Sequence, residues 1–299
     1  MELMIDGTEV LEADEIVRAA EYVDYFGGHA DVLEISFIDE EEIIEVSKGT
    51  EIKVSNEMVT TGTMYVSRVE LSGKNKKIRA LSIKAEQLDV RSYVREQITL
   101  SEACIEAGKE IGFKMNYSPL GEYTYASLQR INQNSISFLN FLTEREGYVL
   151  KIWNNITIIE NELAHEQSES VLEFSDEDFL RDPVLKTSDA ALIRKIENRY
   201  KGKLLIHTAV EDPAICGKNM IISLPVQSIG ESERLTRQMM KNMNKFETRL
   251  TAAIDMQELR AGNCIEYTEN NSFSGKYLIY AMRHDFVAER QVIKGRLVR

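Results

Sequence analysis

The sequence predicts a β-rich α+β fold, with two strand-rich units flanking a smaller α/β unit. Three observations lead there. Short runs with period-two alternation fill the first third of the chain and recur in the last third. A helix-plus-hairpin pattern, "ISFLNFLTEREGYVLKIWNNITIIEN" (136–161), stands between them. Only four prolines and 16 glycines occur in 299 residues, which leaves little room for long linkers.

The first strands are explicit. In "DVLEISFID" (31–39), Leu33, Ile35 and Phe37 fall on one side and Val32, Glu34 and Ser36 on the other. "TEIKVSN" offers Ile52 and Val54, and "TMYVSRVEL" offers Met64, Val66 and Val69. "KKIRALSIKA" adds Ile78, Ala80 or Leu81, and Ile83. Gly49, Gly62 and Gly73 sit between the runs, where turns are required. Several short strands with glycine turns suggest a small barrel or sandwich.

A helix follows in "TLSEACIEAGKEIGF". Thr99 and Glu102 have capping-box spacing, so hydroxyl and carboxylate each satisfy a free backbone N–H. Leu100, Ala103, Cys104, Ala107 and Ile111 form its apolar face, and Gly112 supplies the left-handed stop. Next, Asn134 caps a helix with Ile136, Leu139 and Leu142 in one stripe, widened by Phe138 and Phe141 and ended by Gly147. "YVLKIW" and "ITIIE" are strands, and Asn154-Asn155 accepts positive φ in a two-residue hairpin turn. Spacing this regular belongs to core packing rather than to a ligand box.

The last third returns to strands: "ALIRKIENRY", "KLLIHTAVED", "NMIISLP", "RLTAAID", "NCIEYTE", "GKYLIYAMRHDF" and "QVIKGRLVR". One helix interrupts them. "ESERLTRQMMKNMNKF" places Leu235, Met239, Met243 and Phe246 along one side, with acids in the first turn and lysines near the end.

Composition removes several functions. No apolar run reaches the ~18 residues of a membrane span. "MELMIDGTEV" lacks the basic-then-apolar order of a signal peptide. Cys104, Cys216 and Cys264 are odd in number and widely spaced, which fits buried thiols in a reducing compartment and no disulfide framework. The net charge of −13, with no basic stripe longer than "KNKK" (74–77), disfavours DNA binding. His29, His165, His207 and His284 lack metal-ligand spacing, and no phosphate loop, dinucleotide fingerprint or nucleophile elbow occurs. The acidic runs "IDEEEIIE" (38–45) and "SDEDFLRD" (175–182) match no calcium loop. They read as solvated turns or charged rims of an interface. The expectation is therefore no enzyme, no cofactor, no metal, and no catalytic or cofactor-binding residue to name. A cell-wall-degrading carboxylate pair is the weakest alternative.

The sequence resembles the baseplate hub proteins of contractile tails, namely the phage late control gene D family and the N-terminal part of VgrG spike proteins. Three places carry the likeness. They are "MIDGTEV…YFGGHADVLEISFID…SKGTEIKV…TGTMYVSRVEL", "LQRINQNSISFLNFLTEREGYVLKIWNNITIIEN" and "ELRAGNCIEYTENNSFSGKYLIYAMRHDF". They occur in the family's order across nearly the whole chain. The resemblance implies a first tube-like β-barrel domain over residues 1–96, an inserted α/β domain over 97–168 and a second tube-like β-barrel over 169–299 with one embedded helix. It also implies a homotrimer whose six barrels form a pseudo-sixfold ring between a hexameric tail tube and a threefold spike. The implied partners are the tail tube or a tube-initiator protein, a central spike protein, other baseplate proteins and the tape measure protein. The implied location is the bacterial cytoplasm at synthesis, then the baseplate of a phage tail or phage-tail-like bacteriocin. The sequence stops at Arg299 without the β-needle of VgrG, so the spike is expected to be a separate polypeptide. A tail-tip or peripheral baseplate protein of a non-contractile tail is the alternative.

Overall fold

A computed structural model describes residues 1–38, 44–202 and 205–298 of the chain. The run 38–45 falls largely outside these residues, as do Asp39 of the first quoted strand, residues 203–204 and Arg299.

Most quoted strands form, and most join one thirteen-stranded sheet. Its order runs from Val184–Thr187 through Thr248–Asp255, Arg290–Leu297 and Gly275–Asp285 to Val17–Tyr25. It continues through Val32–Ile38, Asn75–Leu81, Met64–Ser72, Glu51–Ser55 and Glu2–Ile5 to Thr8–Glu9. The path has two open ends, so no closed barrel forms among the described residues. The expected β-rich α+β class holds; the expected closure into two barrels is not seen.

The N- and C-terminal parts meet at the Gly275–Asp285 strand. Its first residues pair with Cys264–Tyr267, from Tyr267↔Gly275 to Cys264↔Leu278. A register shift follows between Ile279 and Ala281. Its last residues then pair with Val17–Tyr25, from Ala281↔Tyr25 to Asp285↔Glu21. A bulge lets one strand serve two neighbours along the same edge. The Val17–Tyr25 strand is absent from the sequence reading. Its inward positions are Ala20, Tyr22 and Asp24, which do not read as an apolar stripe.

Apolar burial falls into separate clusters. Leu3, Ile35, Phe37, Ile52, Val54 and Met64 belong to the first, together with Met256 and Phe286 from the far end of the chain. The buried residues of a second all fall within 98–159, with Tyr93 packed against them. A third includes Phe174, Leu250, Tyr267, Ile279 and Ile293. Burial of this kind is the main favourable term in folding, at ~25 cal/mol per Å² of apolar surface.

The central segment matches its sequence closely. Thr99 caps the Leu100–Ile111 helix: its Oγ1 accepts from Glu102 N at 3.1 Å while Glu102 accepts from Thr99 N at 2.9 Å. Gly112 ends the helix at φ +79°. Asn134 caps Ser135–Arg145, and Gly147 takes φ +82°. The strands Tyr148–Trp153 and Ile156–Asn161 form the hairpin, with Asn154 and Asn155 at φ +48° and +61°. Lys114–Tyr117 adds a parallel third strand. Leu139 and Leu142 are fully buried with Tyr148, Leu150 and Ile159, rather than with Trp153 or Ile156 at the hairpin tip. Phe141, expected in the apolar stripe, is 46% exposed. Arg91–Thr99 and Thr124–Gln133 form a separate two-stranded sheet that the sequence did not reveal.

A further lobe interrupts the C-terminal part. Ile193–Lys201, Leu205–Glu211 and Lys218–Ile222 make a three-stranded sheet. The Ile229–Asn244 helix packs on it through Leu235 and Met240. The expected stripe is rotated: Ser232, Leu235, Thr236 and Met240 are buried, while Met243 and Phe246 are exposed. Ser232 Oγ accepts from Asn198 Nδ2 at 2.8 Å and lies against Thr208 Oγ1, so a polar network occupies the buried face.

Candidate functional site

The central hairpin meets the large sheet through charged side chains. Lys151 lies between Leu150 and Ile152, which are buried, so its side chain leaves the opposite face of the strand. Its ammonium pairs with Asp24, reaches the Tyr25 carbonyl at 3.0 Å and lies 3.6 Å from Asp31 Oδ2. Asp24 also accepts from Ala261 N at 2.9 Å. Asp31 accepts from Tyr22 Oη at 2.7 Å and from Tyr25 N at 3.0 Å, and its own N–H donates to Ser82 Oγ at 3.0 Å. Lys151 therefore ties the central segment to the N-terminal part of the chain, and Asp24 links that junction on to Ala261 of the C-terminal part.

The two carboxylates of this junction are buried, which sets its protonation. Burial pushes Asp31 up to about 7, with Asp24 adding to the rise and Lys151 opposing it. Lys151 keeps its charge: burial disfavours it, but Asp24 and Asp31 raise its pKa. Beyond Tyr22, His284 stacks at 5.5 Å between ring centres and contacts Gln291 Nε2 through Nδ1 at 3.0 Å. Burial lowers His284 to about 4, so it is neutral at pH 7.

Two further contacts fix the hairpin. At its tip, Asn154 Oδ1 accepts from Thr63 N at 3.1 Å and Thr63 Oγ1 at 3.2 Å, and Tyr65 Oη donates to Asn155 Oδ1 at 2.7 Å. A Cβ on Gly62 would stand 2.8 Å from the Asn154 Cβ, so this approach requires glycine. At its base, buried Arg296 donates to Glu162 at 3.0 Å and Glu166 at 2.6 Å. Lys245 and Lys241 of the lobe approach the same two carboxylates at 3.0 and 2.7 Å. Burial alone would raise Glu162, but Lys245 and Arg296 hold it below the ordinary carboxylate range. Glu146 accepts from Tyr125 Oη at 2.5 Å and pairs with Arg234, whose guanidinium lies 3.8 Å over Tyr123.

These groups are matched to one another, and their chemistry is positional. The cleft beside Glu166, Lys241, Lys245 and Arg296, about 430 Å³, is walled by pairs already closed. Among the described residues, no cluster of three His, Cys, Asp or Glu side chains is arranged to hold a metal, and no helix is long and apolar enough to cross a membrane. The candidate groups of the sequence disperse. His165 bridges Glu160 at 2.9 Å and the Gly262 carbonyl at 3.1 Å; His29 lies against Tyr25, and His207 is exposed near Glu197. Burial pushes the Cys104 thiol up to about 12, Cys264 lies 3.1 Å from the His165 carbonyl, and Cys216 is exposed. In the run 175–182, Asp178 accepts from Ser175 N at 2.7 Å and Asp176 from Tyr267 Oη at 2.7 Å, so these acids close a turn.

Lys151, Asp24, Asp31, Arg296 and Glu162 were not singled out by sequence. The one local signal was a lysine and an aspartate at alternation positions whose neighbours are apolar.

No protein-family profile matches this sequence, and no curated protein matches it. Solved structures do. A 43 kDa tail protein of prophage MuSo2 from Shewanella oneidensis aligns with a TM-score of 0.78 at 12% identity, over 99% of this chain and 97% of that one. An E. coli component of the type VI secretion system, described as similar to bacteriophage T4 tail proteins, aligns with a TM-score of 0.65 at 10% identity, over 100% and 77%. A PdpA–VgrG complex from Francisella aligns with a TM-score of 0.58 at 12% identity, over 99% and 53%. The chain has the fold of these tail and VgrG-related proteins.

Proposed function

We propose that this chain is the structural baseplate hub of a contractile injection particle. Three copies would form a pseudo-sixfold ring that joins a hexameric tail tube to a threefold spike. The single observation that carries this reading is the whole-chain match to a prophage tail protein, 99% against 97%. The likeness to a type VI component and to VgrG in its PdpA complex supports the spike side of the junction. Structural support for the particle, not catalysis, is the role on this reading.

The three-part division belongs to the same proposal: tube-like domains over 1–96 and 169–299, and an inserted domain over 97–168. Separate apolar clusters support it. The two tube-like parts share one open sheet, which favours closure around a ring of copies over closure within one chain. Tube, spike, tape measure and other baseplate proteins are the proposed partners, and a phage tail or bacteriocin particle the proposed location.

Electron cryomicroscopy of particles carrying a tag on this chain tests the reading. Density for three tags at the tube–spike junction is the expected result. Tags at fibres, at the sheath or in six equivalent copies would refute it.

A further inference from the structure

Charge on this chain is segregated. The formal total is −13, yet the three strands of the lobe carry five cations, Arg194, Lys195, Arg199, Lys201 and Lys218, against Glu197 and Glu211. Register sets the side facing away from the helix. Lys201 stands opposite Leu205, Arg199 opposite His207, and Glu197 opposite both Ala209 and Ile221. Lys195 and Arg199 neutralise Glu197, which they hold at about 2. Among the described residues, Lys201 has no such ion pair on the sheet. Leu205 and Ile221 are 79% and 61% exposed on this face, and Lys218–Ile222 has an unpaired outer edge.

The end of the large sheet is the opposite. Residues 172–182 carry Glu173, Asp176, Glu177, Asp178 and Asp182 against one cation, Arg181, and Glu269 joins them by accepting from Asp176 N at 2.9 Å. Val171, Leu180 and Val184, in and beside this stretch, are exposed. Leu172–Phe174 and Val184–Thr187 each pair on one side only. Among the described residues, no ion pair joins this acidic edge to the basic lobe of the same chain.

Each surface therefore has exposed aliphatics, an unpaired strand and a net charge, and the net signs are opposite, even with Lys186 of the Val184–Thr187 strand counted. An apolar centre with a complementary charged rim is the anatomy of a specific interface. Open edges with exposed aliphatics need a cover. We infer that the acidic edge of one copy docks on the basic face of the lobe in a second copy of this chain. A contact between two different surfaces is head-to-tail, and such a contact closes into a ring when its rotation allows. The inference rests on the ring assembly proposed above and names the contact that would close it.

Light scattering on charge-reversal variants at low salt tests it. Glu173→Lys with Glu177→Lys, and separately Arg199→Glu with Lys201→Glu, should each raise the dissociation constant of the assembly by about tenfold or more. All four changes in one chain should restore it, which separates a lost contact from a lost fold. If the unaltered chain assembles and neither reversal weakens it, or if the combined variant fails to recover, the docking inference is overturned while the ring reading stands. A chain that stays monomeric before any substitution overturns both.

Discussion

Lys151 shows what one side chain decides. Its ammonium sits among Asp24, Asp31 and the Tyr25 carbonyl, and nothing else neutralises the two buried carboxylates as closely. Lys151→Met should therefore cost about 3–5 kcal/mol, the scale of stranding a buried charge. Urea unfolding measures it, and a loss below ~1 kcal/mol would mean that the junction is open to water. The same site predicts a pH response with two opposed parts. Asp31 rises from an ordinary 3.8 to about 7 on folding, so its stabilising contribution is complete below 3.8 and is lost as pH rises through 7. His284 falls from 6.5 to about 4, so its contribution is present above 6.5 and is lost as pH falls through 4. Between about 4 and 6.5 the two offset each other. Asp31→Asn should expose the histidine term, so that this variant loses stability on acidification across that window more steeply than the unaltered chain. Equal slopes in denaturant titrations at several pH values would show that folding does not raise the Asp31 pKa. None of this was legible beforehand. Thr99 and Glu102 are three residues apart and announce their cap, whereas Lys151 and Asp24 are 127 apart and meet only through the fold.

At the scale of elements, legibility followed local periodicity. "DVLEISFID" alternates cleanly, and Leu33, Ile35 and Phe37 are each 1% exposed. "VRAAEYVDY" does not, because the chain-joining strand spends inward positions on Ala20 and on the hydrogen-bonded Tyr22 and Asp24. Arg91–Thr99 was hidden because its side chains are mostly exposed, which leaves no apolar stripe to read. In the Ile229–Asn244 helix the buried stripe is rotated from the apolar one, since Ser232, hydrogen-bonded to Asn198, and Thr236 occupy inward positions that hydrophobicity does not mark. The two helices and the hairpin of the central segment, by contrast, are plain in the sequence, and their core can be tested alone. Leu139 is fully buried within a cluster whose buried residues all fall within 98–159. Leu139→Ala should cost about 2–5 kcal/mol. Hydrogen exchange should quicken across that segment and leave Val32–Ile38 and Gly275–Asp285 protected. Protection lost in those two strands would make the central segment integral to the large sheet and end the three-part division.

For the whole molecule, charge and open edges are the governing features. A −13 chain repels phosphate, and its longest basic run is the four-residue "KNKK" (74–77). Double-stranded DNA should accordingly show no sub-micromolar affinity in a gel shift at low salt; tight binding that weakens steeply with salt would contradict this. The open strands at both ends of the large sheet ask for neighbours, and the proposed ring of three would supply them. The β-rich class and the cleanly alternating strands could be read from the sequence. The union of both chain ends in one sheet could not, because pairing between residues 17–25 and 275–285 leaves no local mark. Sedimentation equilibrium across micromolar concentrations, alone and with the spike protein, tests the central claim most directly. The account predicts a species of three times the 34.2 kDa chain mass. A single monomeric species under both conditions would contradict it.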